Sequence, residues 1–194
     1  MVSDRYNNAL EYAASLHSKQ TRKGTATPYI SHLMAVSMIA LEHGATEDEA
    51  IAALLHDAVE DQGGLPTLEA IREQFGDTVA AIVKGCSDSV ADTSQGETKL
   101  PWKDLKLAYI THIKSASPSV RLVSAADKLH NALSILRDYN ALGDELWNRF
   151  NGKKDGTLWY YRSLVAAFKA KGLTPLVERL DQVVTELEHK VQLK

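Results

Sequence analysis

The feature that most constrains this chain is an apolar run, residues 51–55, followed immediately by a cluster of ionisable side chains. The run predicts a buried helix. The cluster contains His56, Asp57, Glu60 and Asp61. At about 3.6 residues per turn, Glu60 lies one turn beyond His56, and Asp61 lies one turn beyond Asp57. All four side chains are therefore expected on one side of the end of this helix.

Such a cluster is unfavourable unless something compensates it. Carboxylates at these spacings repel one another, and burying one without a partner costs several kcal/mol or more. The dipole of a helix C-terminus also disfavours acidic side chains. A bound cation would relieve these effects, and the neighbouring apolar run indicates burial. The sequence therefore predicts a metal site here, with a solvated helix end as the alternative.

Nearly every other segment also has helical periodicity, and no convincing alternating strand is present. All five prolines fall at predicted helix starts or in loops. We therefore predict an all-α fold, a bundle of about nine or ten helices around a central metal cleft. We expect residues 1–194 to form a single domain.

Local signals set the expected helix bounds. Thr27 is the predicted N-cap of the second helix, with Pro28 in its first position. The central helix is expected to run without a break through Asp61. A short helix is predicted over residues 67–75, and residues 152–156 are predicted to be a loop before an aromatic helix. Residues 87–100 are polar and aperiodic, which indicates a candidate mobile loop.

The composition disfavours several functional classes. A net charge of −3 argues against general electrostatic binding to nucleic acid or to an anionic membrane. No apolar run reaches the length of about 20 residues that a membrane span needs, and no apolar signal region is present. The single cysteine, Cys86, is typical of a reducing compartment and is expected to be a small buried hydrophobe. We therefore expect a cytoplasmic protein, whose oligomeric state the sequence leaves open.

Two further apolar helices carry an ionisable interruption. His32 lies in an apolar helix, flanked by Ile30 and Leu33, and Asp127 interrupts a largely apolar stretch that includes residues 120–126. A charge in such a position is rarely buried without a partner. Together with His56 and Asp57, these residues would supply two imidazoles and two carboxylates. Such a set suits Mn²⁺ or Fe²⁺, and Zn²⁺ also accepts these ligand types.

The order His, His-Asp, Asp resembles that of the HD-domain metal-dependent phosphohydrolases. The segments PYISH (28–32), AALLHDAVED (52–61), FG (75–76) and ADKLHN (126–131) resemble the hydrolase domain of the RelA/SpoT proteins over roughly residues 5–170. Nothing resembles the synthetase or regulatory domains, so the chain is similar to stand-alone small alarmone hydrolases. This resemblance implies a small-molecule nucleotide partner. It also implies removal of the 3′-pyrophosphate of ppGpp or pppGpp by a metal-activated water, with Mn²⁺ as the cofactor.

The resemblance also implies roles for individual residues. The implied metal ligands are His32, His56, Asp57 and Asp127. The acidic pair that handles the attacking water in the family corresponds to Glu60 and Asp61. A carboxylate within hydrogen-bond reach of such a water can take its proton or orient it.

Four residues match substrate-contact positions of the family: Arg22, Lys23, Asn131 and Ser134. The first two provide the local positive charge that a polyanionic substrate needs on a negatively charged protein. The loop after Arg22 and Lys23 is one residue longer than the usual pattern, and Leu33 replaces a proline.

Two alternatives therefore stay open. One is an HD phosphohydrolase of another nucleotide or phosphorylated metabolite, and the other is a non-catalytic nucleotide-binding HD module. His17 and His130 receive no functional role, because His17 has no matching partner and His130 is expected to point away from Asp127.

Overall fold

The computed structural model describes residues 3–87 and 101–192. Over these ranges the chain forms ten α-helices, nine of them with nine residues or more, and one 3₁₀ helix. The helices are α1 (Asp4–Leu16), α2 (Ile30–Glu42), α3 (Glu47–Leu55), α4 (Ala58–Asp61), α5 (Gly64–Phe75), α6 (Asp77–Cys86), α7 (Trp102–Ile113), α8 (Pro118–Leu142), the 3₁₀ helix (Gly143–Arg149), α9 (Lys153–Lys169) and α10 (Pro175–Gln192). The predicted all-α fold is confirmed. The candidate mobile loop, residues 87–100, lies outside the described residues except for Ser87.

Helix α8 occupies the centre of the fold. It is 25 residues long and packs against α2, α3, α6, α9 and α10. Ser117 caps its start by accepting a hydrogen bond from the N–H of Val120, with Pro118 in the first turn, as the sequence predicts. Because α8 touches so many neighbours, side chains along it can meet residues from distant parts of the chain.

The central helix is not continuous through Asp61, so that prediction is wrong. Helix α3 ends at Leu55, and α4 begins only at Ala58. The imidazole Nδ1 of His56 donates to the carbonyl oxygen of Ala53 at 2.8 Å. In a continuing helix that carbonyl would accept the N–H of residue 57. The side-chain bond thus competes with the helical one, and it places residues 56 and 57 in a turn.

The predicted start of the second helix is also wrong. Helix α2 begins at Ile30, and residues 20–29 form a closed loop instead. The N–H of Arg22 donates to the carbonyl of Thr27 at 2.8 Å, and the N–H of Tyr29 donates to that of Gln20 at 2.9 Å. These hydrogen bonds hold the backbone around Pro28 in the loop, so the helix begins only after it. The loop also contains the β-bridge between Thr21 and Pro28.

The predicted loop at residues 152–156 is mostly helix, because α9 begins at Lys153. Its two glycines serve packing rather than a turn. A Cβ on Gly152 would overlap the indole ring of Trp102, and one on Gly156 would lie 3.2 Å from that ring. Helix α5 likewise starts earlier than expected, at Gly64, with Pro66 in its first turn, where the missing N–H costs no hydrogen bond.

The core is apolar and encloses Cys86. Its thiol lies 3.9 Å from the carbonyl oxygen of Val120, and burial raises its pKa to about 11. The interpretation of Cys86 as a small buried hydrophobe is confirmed. Within the described ranges, no helix is both long enough and apolar enough to span a membrane.

Candidate metal and substrate site

Four ionisable side chains meet where α2, α8 and the turn between α3 and α4 come together. His32 Nε2 lies 3.2 Å from Asp127 Oδ1, and His56 Nε2 lies 3.1 Å from Asp57 Oδ2. The two remaining histidine–carboxylate distances are both 3.6 Å. His32, His56 and Asp127 are 0%, 3% and 5% exposed. The structure thus brings together all four residues that the sequence analysis proposed as ligands.

The two Nε2 atoms are placed to bind a ligand. Both are buried, and neither makes a hydrogen bond with the described part of the chain, although carboxylate oxygens are close. Ligand atoms of His32, His56 and Asp57 all lie within 4.8 Å of one another. Buried polar atoms without partners are costly. These three residues could hold a divalent metal ion, which would satisfy the nitrogens and carboxylates together.

The outer partners of these side chains suit this arrangement. His56 donates through Nδ1 to the carbonyl of Ala53, which leaves the Nε2 lone pair facing the cluster. The Nδ1 of His32 lies 2.7 Å from Nδ1 of His130. The hydroxyl of Tyr29 donates to Asp57 Oδ2 at 2.6 Å. Such partners fix the orientation and tautomer of metal ligands.

The electrostatics of the cluster show where positive charge is needed. Burial alone would lower the pKa of His56, but Asp57 and Asp127 outweigh it and raise that pKa well above its usual value. Burial would raise the pKa of Asp57, but His56 outweighs it and holds that pKa below its usual value. Burial is the main cause that lowers the pKa of His32. Without a metal ion, the two carboxylates therefore favour a proton on Nε2 of His56, and a bound cation would take the place of that proton.

Asp127 also joins the cluster to two predicted substrate residues. Its Oδ1 accepts a hydrogen bond from Asn131 Nδ2 at 2.5 Å, and its Oδ2 accepts one from Lys128 Nζ at 2.7 Å. Arg22 Nη2 in turn donates to Asn131 Oδ1 at 2.5 Å. The basic loop before α2 is therefore linked to the ionisable cluster through a single amide.

A cavity of about 540 Å³ lies beside the cluster, and Arg22, Lys23, Asn131 and Ser134 all line it. Its cationic lining residues are Arg22, Lys23, Lys106, Lys128, Arg137 and Arg149. Asp138 is the one carboxylate in the lining formed by described residues, and it is paired with Arg149 at 3.0 Å. Such a strong excess of positive charge, in a chain of net charge −3, suits a compact polyanion.

The acidic pair, Glu60 and Asp61, lies on α4, and the N–H of Asp61 donates to the carbonyl of Asp57 at 3.0 Å. Gln20 Nε2 donates to Asp61 Oδ2 at 2.8 Å. The Oε1 of Gln20 accepts from Gln62 Nε2 at 2.7 Å and lies 2.6 Å from the Nδ1 of His17. Because both donors occupy this oxygen, the amide nitrogen of Gln20 is committed to Asp61.

Sequence reasoning missed several of these partners. His130 contacts His32 and does not point away from Asp127, so that expectation is wrong. Residues three apart on a helix share a face, and the spacing of residues 127 and 130 could have indicated this. His17 is buried, bonded to Gln20 and stacked on the Tyr29 ring with centroids 5.2 Å apart. No sequence pattern indicated the hydroxyl contact of Tyr29, because it depends on the closed loop before α2.

Comparison with known proteins identifies the class. The family model described as an HD domain matches residues 9–158. The chain therefore belongs to the HD-domain family.

More specific relatives match most of the chain. The guanosine-3′,5′-bis(diphosphate) 3′-pyrophosphohydrolase MESH1 of Danio rerio is 36% identical over 142 residues, which cover 72% of this chain and 71% of that protein. MESH1 of Mus musculus is 31% identical over 182 residues, or 92% of this chain and 90% of that protein. A solved structure of a metazoan orthologue of SpoT, which hydrolyses ppGpp and has a role in starvation responses, matches with a TM-score of 0.76. It is 29% identical, and the match covers 96% of this chain and 97% of the other.

Proposed function

We propose that this chain is a metal-dependent phosphohydrolase that removes the 3′-pyrophosphate from ppGpp or pppGpp. The observation that carries this proposal is the pair of buried Nε2 atoms, which have no hydrogen-bond partner among the described residues, beside two carboxylates and a cationic cavity. The MESH1 relatives, which carry that activity in their name, support the choice of substrate.

The proposed ligands are His32, His56, Asp57 and Asp127. Two imidazoles with two carboxylates favour Mn²⁺, with Fe²⁺ and Zn²⁺ as alternatives. When bound, such an ion activates water and neutralises charge on phosphoryl oxygens. The residues fit it, because the Nδ1 atoms of both histidines are engaged elsewhere and their Nε2 atoms face the carboxylates.

The other residues of the site have separate tasks in this proposal. Glu60 and Asp61 orient the attacking water and accept its proton. Gln20 holds Asp61 in place through the hydrogen bond at 2.8 Å.

Substrate binding falls to the cavity. Arg22 and Lys23 bind the phosphates, because both line the cavity and carry positive charge. Asn131 holds Arg22 against the metal cluster, since it bonds to both Arg22 and Asp127. Ser134, whose hydroxyl donates to the carbonyl of His130 at 3.0 Å, keeps its oxygen lone pairs to accept a hydrogen bond from a donor group of the substrate.

The direct experiment is to incubate purified protein with ppGpp, with and without Mn²⁺, and to follow pyrophosphate release. We expect Mn²⁺-dependent release from the wild type and none from Asp127→Ala. A matched control is Asp77→Ala, because the Asp77 side chain is 93% exposed. If the metal-loaded wild type releases nothing, alarmone hydrolysis is wrong. Metal-dependent thermal stabilisation without turnover of any nucleotide would instead indicate a binding module.

One observation favours a second candidate, a phosphohydrolase of another nucleotide. The loop before α2 is longer than the family pattern, and Lys23, Thr25 and Thr27 from it line the cavity. A panel of phosphorylated nucleotides tests this. A substrate that is hydrolysed with a much higher kcat/KM than ppGpp would replace the first proposal by the second.

The proposal includes one HD domain over residues 1–194 and a location in the cytoplasm. The match to the SpoT orthologue along 96% of this chain supports the first part. The use of a single cysteine, the buried Cys86, supports the second, since proteins of reducing compartments rarely contain disulfides.

A further inference from the structure

We propose that His130 couples the metal cluster to the substrate cavity. Its Nδ1 accepts a hydrogen bond from His32, and its Nε2–H is thereby presented to the cavity as a donor to a phosphate oxygen. This inference rests on the metal site of the proposed function, but it does not depend on which nucleotide is hydrolysed.

The contact between the two rings determines where their protons lie. The Nδ1 atoms of His32 and His130 are 2.7 Å apart, so one must donate and the other must accept. His32 is fully buried, and its Nε2 faces the carboxylates of the cluster. A nitrogen that binds a metal carries no proton, so the proton of His32 is on Nδ1. His32 is therefore the donor in this pair.

The same reasoning fixes the state of His130. Because its Nδ1 accepts a hydrogen bond, that nitrogen is unprotonated, and the ring is neutral with its proton on Nε2. His130 lines the cavity of about 540 Å³, whereas the His32 contact occupies the other edge of its ring. Among the described residues, the Nε2 of His130 has no hydrogen-bond partner. Its donor is therefore available to an anion in the cavity.

The position of His130 on α8 makes this donor useful. It lies between Asp127, which faces the metal cluster, and Ser134, which lines the cavity. Two other cavity donors on α8, Lys128 and Asn131, contact the carboxylate of Asp127. His130 differs from them because it contacts a proposed histidine ligand, His32, so a bound metal fixes the tautomer that the anion meets.

The tautomers can be read directly by ¹⁵N NMR of histidine-labelled protein loaded with Zn²⁺, which is diamagnetic. We expect a proton on Nδ1 of His32 and on Nε2 of His130. A proton on Nδ1 of His130 in the loaded protein would overturn the inference. Failure of the wild type to bind Zn²⁺ would overturn the metal site itself, and the inference with it, so the two failures are distinguishable.

Substitutions test the coupling. His130→Phe keeps a ring but removes both nitrogens, whereas His130→Asn keeps one acceptor and one donor. We expect His130→Phe to weaken Zn²⁺ binding about 10- to 100-fold, as is typical of an outer-shell partner. We also expect it to weaken the binding of inorganic pyrophosphate to the Zn²⁺-loaded protein. His130→Asn should restore most of both affinities.

The exposed His189 on α10 provides the matched control, His189→Phe, which should leave both affinities unchanged. Thermal unfolding of each metal-free variant shows whether it is folded, and the Asn variant keeps the test valid if the Phe variant unfolds. Zn²⁺ affinity within twofold of the wild type in His130→Phe would refute the link to His32. Unchanged pyrophosphate affinity at saturating Zn²⁺ would refute the donor to the cavity.

Discussion

The hydroxyl of Tyr29 provides the sharpest test of how the metal cluster is held. It donates to Asp57 Oδ2 at 2.6 Å, while the ring stacks on His17 and lies 5.6 Å from the guanidinium of Arg22. Tyr29→Phe keeps the ring and its packing and removes only the donor. The substitution therefore isolates the effect of one hydrogen bond on a proposed ligand.

The magnitude follows from the partner and its exposure. A hydrogen bond to a charged group typically contributes about 1.5–3 kcal/mol of stabilising free energy. A free-energy difference of about 1.4 kcal/mol corresponds to a factor of ten in Kd. The Asp57 side chain is 23% exposed, so water can replace part of the lost bond. We therefore expect the low end of the range, a loss of metal affinity of about tenfold.

The assay is a calorimetric titration of metal-free protein with Mn²⁺. The control is Tyr6→Phe, which removes a hydroxyl that lies 2.9 Å from the neutral Ser37 Oγ. If Tyr29→Phe and Tyr6→Phe both bind Mn²⁺ within twofold of the wild type, the hydroxyl does not orient Asp57. The account of its role would then be wrong.

Three further predictions concern the same site. Gln20→Glu places a carboxylate against Asp61, so it should lower kcat about tenfold or more with little change in KM, and an unchanged kcat would refute the positioning of Asp61. Mn²⁺ at 100 times its Kd should raise the free energy of unfolding by about 2.7 kcal/mol in urea titrations. His56→Ala should abolish this stabilisation, and its persistence would remove His56 from the ligands. Because the pKa of His56 is raised in the folded state, protonated His56 adds to the free energy of unfolding of the metal-free protein. This contribution is complete below about pH 6.5 and is lost as the pH rises through the folded-state pKa. Mn²⁺ affinity should increase over the same range because the metal displaces that proton, and a flat pH profile would contradict this.

The sequence predicted the fold class and the meeting of the four proposed ligands, because both depend on patterns that survive small errors in helix bounds. His32 and Asp127 interrupt apolar helices, and such interruptions must find partners in any compact arrangement. The motif order then suggested which interruptions meet.

What the sequence did not predict depends on competition between local bonds. The break after Leu55 arises because His56 donates to the carbonyl of Ala53, and a helical pattern carries no sign of that choice. Gly152 and Gly156 suggested a loop, yet they are needed for close approach to Trp102. In both cases the local backbone structure depends on which group lies next to the residue in the folded chain, and a sequence pattern does not give that.

The length and central position of α8 have an evolutionary consequence. Four residues of the proposed site lie on this one helix: Asp127, His130, Asn131 and Ser134. Each residue added to a helix rotates everything beyond it by about 100°, so a single insertion between residues 127 and 134 would turn part of the site away from the rest. The loop before α2, by contrast, already differs in length from the family pattern, and Arg22 in this loop still donates a hydrogen bond to Asn131. Among relatives, insertions and deletions should therefore accumulate in that loop and be absent from the middle of α8.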